Sequence, residues 1–177
     1  RVDTDDDRLT DFDEIYGFVW DVDENGNDLI AFTRPNDKDT DGDGINDADE
    51  NAVIQVDLRI NGVLTSGLSW RLNPMSIDTD NDGLSDFIEL NSSIENRTNP
   101  RERDTDGDGL IDGSLPGEIG ERDNSYLTGI DGFRTRATLA DSDDDGLLDW
   151  QEIYPGQDLI VDGVLVAEAL NPYEITI

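Results

Sequence analysis

The chain has 177 residues and a formal net charge of −32, from 44 acidic and 12 basic residues, and it contains no histidine and no cysteine. The missing residue types exclude zinc fingers, disulfide staples, thiol nucleophiles and a Ser-His-Asp triad. The charge opposes nucleic-acid binding, and no apolar run approaches the roughly 18 residues of a membrane span.

The acidity is local. Five twelve-residue windows, starting at Asp3, Asp39, Asp78, Asp104 and Asp141, follow D-x-D-x-D-G-[I/L]-x-D-x-x-E and carry 28 of the 44 acidic residues with one arginine. A halophilic surface would spread its acidity along the chain; metal loops would concentrate it. Alternating carboxylates on a tight turn converge on one point, which suits a hard dication with oxygen ligands, above all calcium. At about 4 Å two unit charges repel by about 1 kcal/mol in water and roughly 4 kcal/mol at an effective dielectric near 20. Several such pairs per loop rival the ~5–15 kcal/mol net stability of a domain, so folding is expected to be coupled to metal binding.

The window starts are 36, 39, 26 and 37 residues apart, a period that indicates a tandem array. The fold class read from it is mainly β and irregular: an elongated tandem array of calcium loops, short helical turns and β-hairpins. Unit 1 (1–38) opens abruptly, as a mature or excised segment would. Its loop offers Asp3, Asp5, Asp7, the carbonyl of Leu9, Asp11 and Glu14, and its hairpin turns at Asn25-Gly26. Asp21 and Asp23 beside that tip read as hairpin residues before they read as a sixth metal site. Unit 2 (39–77) offers Asp39, Asp41, Asp43, Ile45, Asp47 and Glu50, then a hairpin around Asn61-Gly62. Unit 3 (78–103) offers Asp78, Asp80, Asp82, Leu84, Asp86 and Glu89, and replaces the hairpin with a helical turn and a loop. Its Asn91 and Asn96 begin N-x-S/T sequons. Unit 4 (104–140) offers Asp104, Asp106, Asp108, Leu110 and Asp112, with a hairpin around Asp131-Gly132. Its loop is degenerate, because Leu115 stands where Glu closes the others; Glu118 and Glu121 are the candidate substitutes. Unit 5 (141–177) offers Asp141, Asp143, Asp145, Leu147, Asp149 and Glu152, with a hairpin around Asp162-Gly163.

Within a loop, positions 1, 3, 5 and 12 supply carboxylates and position 7 a carbonyl, by analogy with the EF-hand, while position 9 binds through water or braces the loop. Glycine at position 6 serves a sharp reversal; Arg8 takes its place in the first loop and brings a cation to the ligands. The hydroxyl at position 2 (Thr4, Thr40, Thr79, Thr105, Ser142) is expected to tighten the turn by bonding backbone. Weaker binding is expected in the first and fourth loops. Proline stands four residues before three of the loops, at Pro35, Pro74 and Pro100. Trp20, Trp70 and Trp150 read as packing residues, since each unit is too small to bury much surface. With nearly every clustered carboxylate engaged, no catalytic set is read.

The stretch DTDNDGLSDFIELNSSIENRTNPRERDTDGDGL, 78–110, resembles the bacterial thrombospondin type 3 repeat. The longer units, such as DTDDDRLTDFDEIYGFVWDVDENGNDLIAFTRP at 3–35, are similar to the calcium-binding domain of protective-antigen-type binary-toxin components, with Gly17-Phe18-Val19-Trp20 matching its hairpin. The resemblance implies at least one calcium ion per intact loop, and room for two. Asp41, Asp43 and Glu50, and likewise Asp80, Asp82 and Glu89, would bridge the pair, with carbonyls near the proline and the next loop's first Asp completing the second ion. It also implies an extracellular spacer, stalk or fibre segment on a microbial surface, or else a docking module of a secreted toxin or enzyme. The implied partners are calcium, neighbouring repeats or other copies of the chain, and a surface protein or glycan.

Overall fold

The computed structural model describes residues 2–113, 115, 120–121, 135–142, 144–153, 159–161 and 164–167, from 152 onward as backbone. It consists mainly of small antiparallel β-hairpins with a few short helices. In chain order these are α1 (Asp11–Tyr16), β1 (Phe18–Val22), β2 (Asp28–Ala31), α2 (Asp47–Asn51), β3 (Ile54–Ile60), β4 (Val63–Trp70), α3 (Asp86–Asn91), α4 (Asp149–Ile153), β5 (Leu159–Val161) and β6 (Val164–Ala167). Among the described residues three two-stranded sheets form, β1 with β2, β3 with β4 and β5 with β6.

Each helix begins at position 9 of an acidic loop, and in the first and third loops the position 8 hydroxyl caps it, whereas Asn46 makes no side-chain cap bond and Leu148 has none to make. Thr10 Oγ1 accepts the Asp13 N–H and Ser85 Oγ that of Ile88, each at 3.3 Å. The position 9 carboxylate then sits in the first turn, where the helix dipole favours an anion. The described residues after Asp112 form no such helix. The sequence there, Gly113-Ser114-Leu115-Pro116-Gly117, opposes one. Instead Glu121 N–H donates to the Ile111 carbonyl at 3.0 Å, and Ile111 bridges Gly120 in parallel.

The two longer hairpins turn differently. Asn61-Gly62 is a two-residue loop with φ of 48° and 74°, the positive pair that a type I′ turn requires. Asn25-Gly26 is not: five residues separate Val22 from its partner Asp28, and of the pair only Gly26 has positive φ. Asp23 organises that tip by accepting the N–H groups of Asn25 and Asn27 at 2.9 and 2.8 Å. With Asp21 paired to Arg101, the two acids are hairpin residues, as the sequence favoured. β5 pairs with β6 on either side of the expected Asp162-Gly163 tip; that tip and the hairpin expected around Asp131-Gly132 lie outside the described residues.

The prolines mark β-turns. Asp37, Ser76 and Glu102 donate to the carbonyls of Arg34, Asn73 and Asn99, each at 3.0 Å, which places Pro35, Pro74 and Pro100 at the second turn position that proline prefers. Leu139 closes the same turn on Arg136 at 2.8 Å, with Ala137 in the proline's place.

The hairpins reach past their immediate neighbours. Arg101 stacks 5.3 Å over Trp20 and pairs with Asp21. At the β3–β4 tip, Asn61 donates N–H to the Thr138 carbonyl at 2.8 Å and its Nδ2 to the Asp106 carbonyl at 3.2 Å, while its Oδ1 accepts the Ala140 N–H at 2.9 Å. Arg97 donates to the Asp57 carbonyl, and Arg59 pairs with Glu95 at 3.2 Å. The segment that lacks its own hairpin is thus braced by those of the two preceding units.

The apolar core is small: Trp20, Ala31, Leu58, Leu72, Leu84, Leu110, Ala137 and Trp150. Trp20 and Trp150 pack as expected and Trp70 is half-buried. At position 7 Leu84 and Leu110 are buried, whereas Leu9, Ile45 and Leu147 are only half-buried. Acidic and hydroxyl side chains outnumber the buried apolar ones among the described residues, including Glu14, Asp47, Glu50, Asp82, Asp86, Glu89, Asp112 and Asp149 at 0 % exposure. Buried carboxylates are expensive unless something compensates their charge.

Candidate metal centres

The acidic loops share one hydrogen-bonding skeleton. At position 1, Asp39 accepts the N–H groups of Gly42 and Gly44 at 2.8 and 3.0 Å. Asp78 does so for Asn81 and Gly83 at 2.7 and 2.8 Å, Asp104 for Gly107 and Gly109 at 2.8 Å, and Asp3 for Asp6 and Arg8 at 2.8 and 3.2 Å. Asp141 accepts from Gly146 at 2.8 Å. At position 3, Asp5, Asp41, Asp80 and Asp106 each hold the N–H two residues on with one oxygen. At position 5, Asp7, Asp43, Asp82, Asp108 and Asp145 do the same. The backbone N–H groups therefore fix the carboxylates in place and keep them converged despite their charge. Ligand oxygens of Asp3, Asp5 and Asp7 lie within 4.8 Å of one another, as do those of Asp39, Asp41 and Asp43, of Asp78, Asp80 and Asp82, and of Asp104, Asp106 and Asp108. Asp143 and the Glu152 side chain lie outside the described residues.

A second constellation joins consecutive loops. Asp82, Glu89 and Asp112, all fully buried, also bring oxygens within 4.8 Å of one another. They are positions 5 and 12 of one loop and position 9 of the next. The same trio recurs electrostatically: Glu14 feels Asp7 and Asp47, Glu50 feels Asp43 and Asp86, and Glu121 feels Asp108 and Asp149. Position 9 therefore does more than brace its own loop; it also reaches the preceding one. In the group of Asp82, Glu89 and Asp112 the carboxylate from the next loop is its ninth residue, Asp112. Backbone seals the junction, with Phe87 N–H donating to Asp43 at 3.1 Å and Trp150 N–H to Asp108 at 3.2 Å; the Ala48 N–H faces Asp7 likewise. Gly113 occupies the corresponding position between the third and fourth loops, where an added Cβ would lie 2.5 Å from the Asp82 carbonyl oxygen.

Position 2 orients position 9. In the second, third, fourth and fifth loops its N–H and hydroxyl both donate to the position 9 carboxylate: Thr40 to Asp47, Thr79 to Asp86, Thr105 to Asp112 and Ser142 to Asp149, at 2.6–2.9 Å. The hydroxyl also accepts the N–H six residues upstream, that of Arg34, Asn73, Asn99 or Arg136. The expected backbone bond exists, but the carboxylate clamp is the part that shapes the site.

These carboxylates fit a bound dication. Oδ2 of Asp5, Asp41, Asp80 and Asp106, Oε2 of Glu14 and Glu89, and both carboxylate oxygens of Glu50 and Glu121 are buried without a hydrogen-bond partner. Native proteins rarely leave such atoms unsatisfied, and all-oxygen sets of this kind suit calcium. Without a metal, burial and then the neighbouring Asp charges push Glu50, Glu89 and Glu121 up to about 10. The same causes raise Glu14 to about 7. Asp112 is raised to about 8, chiefly by burial, against the opposing Thr105 bonds.

The two irregular loops depart in different ways. In the fourth, Leu115 is half-buried, and Glu121, one of the two candidate substitutes, is buried and feels Asp106, Asp108, Asp112 and Asp149. Glu118 lies outside the described residues. Glu121→Gln is expected to remove about one calcium equivalent by titration calorimetry, and Leu115→Glu to add none. In the first loop Arg8 leans away from the ligands, pairing with Asp49 and donating Nε to the Asp7 carbonyl at 3.1 Å. Its φ of 94° is a conformation that costs a non-glycine residue roughly 1–3 kcal/mol, whereas an exposed ion pair returns about 0–1 kcal/mol. Arg8→Gly should therefore raise the calcium-loaded melting temperature by roughly 2–4 °C, about 1 kcal/mol; a lower melting temperature would show that the ion pair outweighs the strain.

Glu121 was within reach of the sequence as a nearby carboxylate but not fixed by it. The inter-loop role of position 9 had a signal in the invariant pairing of a position 2 hydroxyl with a position 9 Asp. Comparison with family models, with curated proteins and with solved structures gives no match for this chain.

Proposed function

We propose that this chain is a calcium-binding structural repeat protein, in which ions fill each acidic loop and the junctions between loops and so hold the units in a stiff series. The supporting observation is the set of buried carboxylate oxygens without hydrogen-bond partners, repeated from loop to loop. A core with few apolar side chains and many buried acids needs cations to be stable. In this reading calcium is a permanent crosslink: the flanking helices are of five or six residues, too short to form the opening helix pairs of a calcium switch. The resemblance to thrombospondin type 3 repeats and protective-antigen-type calcium domains supports the same reading, and with it an extracellular spacer, stalk or fibre role on a microbial surface and no catalytic activity of its own.

The test is calcium titration of EDTA-treated protein at low ionic strength, followed by calorimetry and near-ultraviolet circular dichroism. Multiple bound equivalents with a large gain in near-ultraviolet signal and melting temperature are expected. An unchanged melting temperature after chelation would sink the proposal.

A docking role on the same scaffold has one observation in its favour. Trp20, Trp70, Arg71 and Arg101, with Asp21 and Glu102, line an open groove of about 580 Å³ between the first two hairpins and the third unit. Aromatic faces beside charged groups of both signs suit a polar partner that stacks on the indoles.

A further inference from the structure

We propose that Asn61-Gly62, at the tip of the β3–β4 hairpin, is a deamidation site guarded by the contacts that it makes. Modification there would release the fourth unit from the second irreversibly.

Asn61 needs its amide for the tertiary contact, not for the turn. Aspartate before glycine serves a type I′ turn as well as asparagine does. What singles out this tip is its docking between two backbone groups of opposite kind. Nδ2 donates to the Asp106 carbonyl at 3.2 Å, and Oδ1 accepts the Ala140 N–H at 2.9 Å. The Asn61 N–H donates to the Thr138 carbonyl at 2.8 Å. An amide satisfies a carbonyl on one side and an N–H on the other; an ionised carboxylate has no donor for the first. Nearby bonds hold the same patch together. Arg59 pairs with Glu95, whose carbonyl accepts the Thr138 hydroxyl and an Arg136 guanidinium N–H, both at 3.0 Å.

The same residue is chemically vulnerable. Gly62 has no Cβ, so its backbone nitrogen can approach the Asn61 side-chain carbonyl carbon. That nitrogen bonds to Cγ and gives up its proton, and Nδ2 leaves as ammonia. Water then opens the five-membered imide at one of its two carbonyl carbons, leaving aspartate or isoaspartate. Water is the only co-reactant, and Asn61 is exposed to it. The clamp opposes the first step, because Nδ2 must leave the Asp106 carbonyl before Cγ can turn to Gly62. Once the tip has detached and reacted, it cannot return. Aspartate would set an oxygen against the Asp106 carbonyl oxygen, and isoaspartate would add a methylene to the turn.

The chain carries its own comparison in Asn25-Gly26. Asn25 is exposed, and the bonds at that tip run to Asp23 in the same turn: from the Asn25 N–H to its carboxylate, and from the Gly26 N–H to its carbonyl, each at 2.9 Å. Opening that turn requires no tertiary contact to break.

Peptide mass spectrometry of protein aged at mildly alkaline pH, native and in urea, tests the guard. Relative to its rate in urea, Asn61 should be slowed by the native fold at least about tenfold more than Asn25, since three tertiary hydrogen bonds must open first. Equal slowing of the two sites would overturn the guard. Amide hydrogen exchange on Asn61→Asp tests the consequence. Exchange at Ala140 and at the fourth-loop amides of Gly107 and Gly109 should quicken at least about tenfold, whereas Asn25→Asp should leave it unchanged. Unaltered exchange in Asn61→Asp would overturn the release of the fourth unit.

Discussion

Glu89→Gln is expected to change stability in opposite directions with and without calcium. Glu89 is fully buried, shares its centre with Asp82 and Asp112, and receives only the Thr98 hydroxyl, at 2.9 Å. With calcium bound, the amide removes a charged ligand that serves both its own loop and the junction to the next. A loss on the order of 3 kcal/mol is expected, in line with breaking a buried ionic contact, which for a chain of this size lowers the melting temperature by roughly 10 °C. In EDTA the same change removes a carboxylate that burial and Asp80 and Asp82 raise to about 10, so the variant should melt higher than the parent. Glu102→Gln, at an exposed carboxylate, should do neither. A uniform shift in both conditions would mean that Glu89 acts by packing alone.

The second large effect is a reversal of pH dependence by calcium. In the calcium-free chain Glu50, Glu89 and Glu121 titrate near 10 when folded, against 4.5 for the unperturbed side chain. Between those values the folded form holds protons that the unfolded form has released, so unfolding sheds protons and stability falls as pH rises. The contribution is complete below about 4.5 and is lost progressively toward 10. Calcium-free protein should thus be more ordered near pH 5 than near pH 8. With calcium the sign inverts, because protons compete with the ion for the same oxygens, and the stabilisation due to calcium should grow from pH 5 to pH 8. Melting curves at both pH values, with calcium and with EDTA, give the four measurements; parallel pH trends in the two conditions would contradict the assignment of these groups to metal.

The structure also changes how the units depend on one another. Nearest-neighbour contact would make each junction independent, but the β3–β4 hairpin bonds to the fourth loop and to residues 138–140 through Asn61, and Arg101 ties the third unit back to Trp20. Damage to the second unit should therefore loosen the fourth as well.

The sequence by itself determined the local structure. Spacing placed the loop carboxylates, hydroxyl caps at Thr10 and Ser85 placed two of the helices at position 9, Asn61-Gly62 placed a two-residue turn, and proline placed the turns before the loops. All of these act within about a dozen residues, where side-chain and backbone groups meet whatever the rest of the chain does. Asn25-Gly26 was read less well, because Asp23 offers the backbone a competing set of hydrogen bonds two and four residues on. Tertiary structure alone decided which carboxylates of different loops meet, that Glu121, six residues beyond Leu115, comes to lie among the fourth-loop carboxylates, that Arg8 pairs with Asp49, and that hairpins brace units beyond their neighbours. Those choices depend on how successive units pack, and a repeating sequence fixes the unit more tightly than the contact between units.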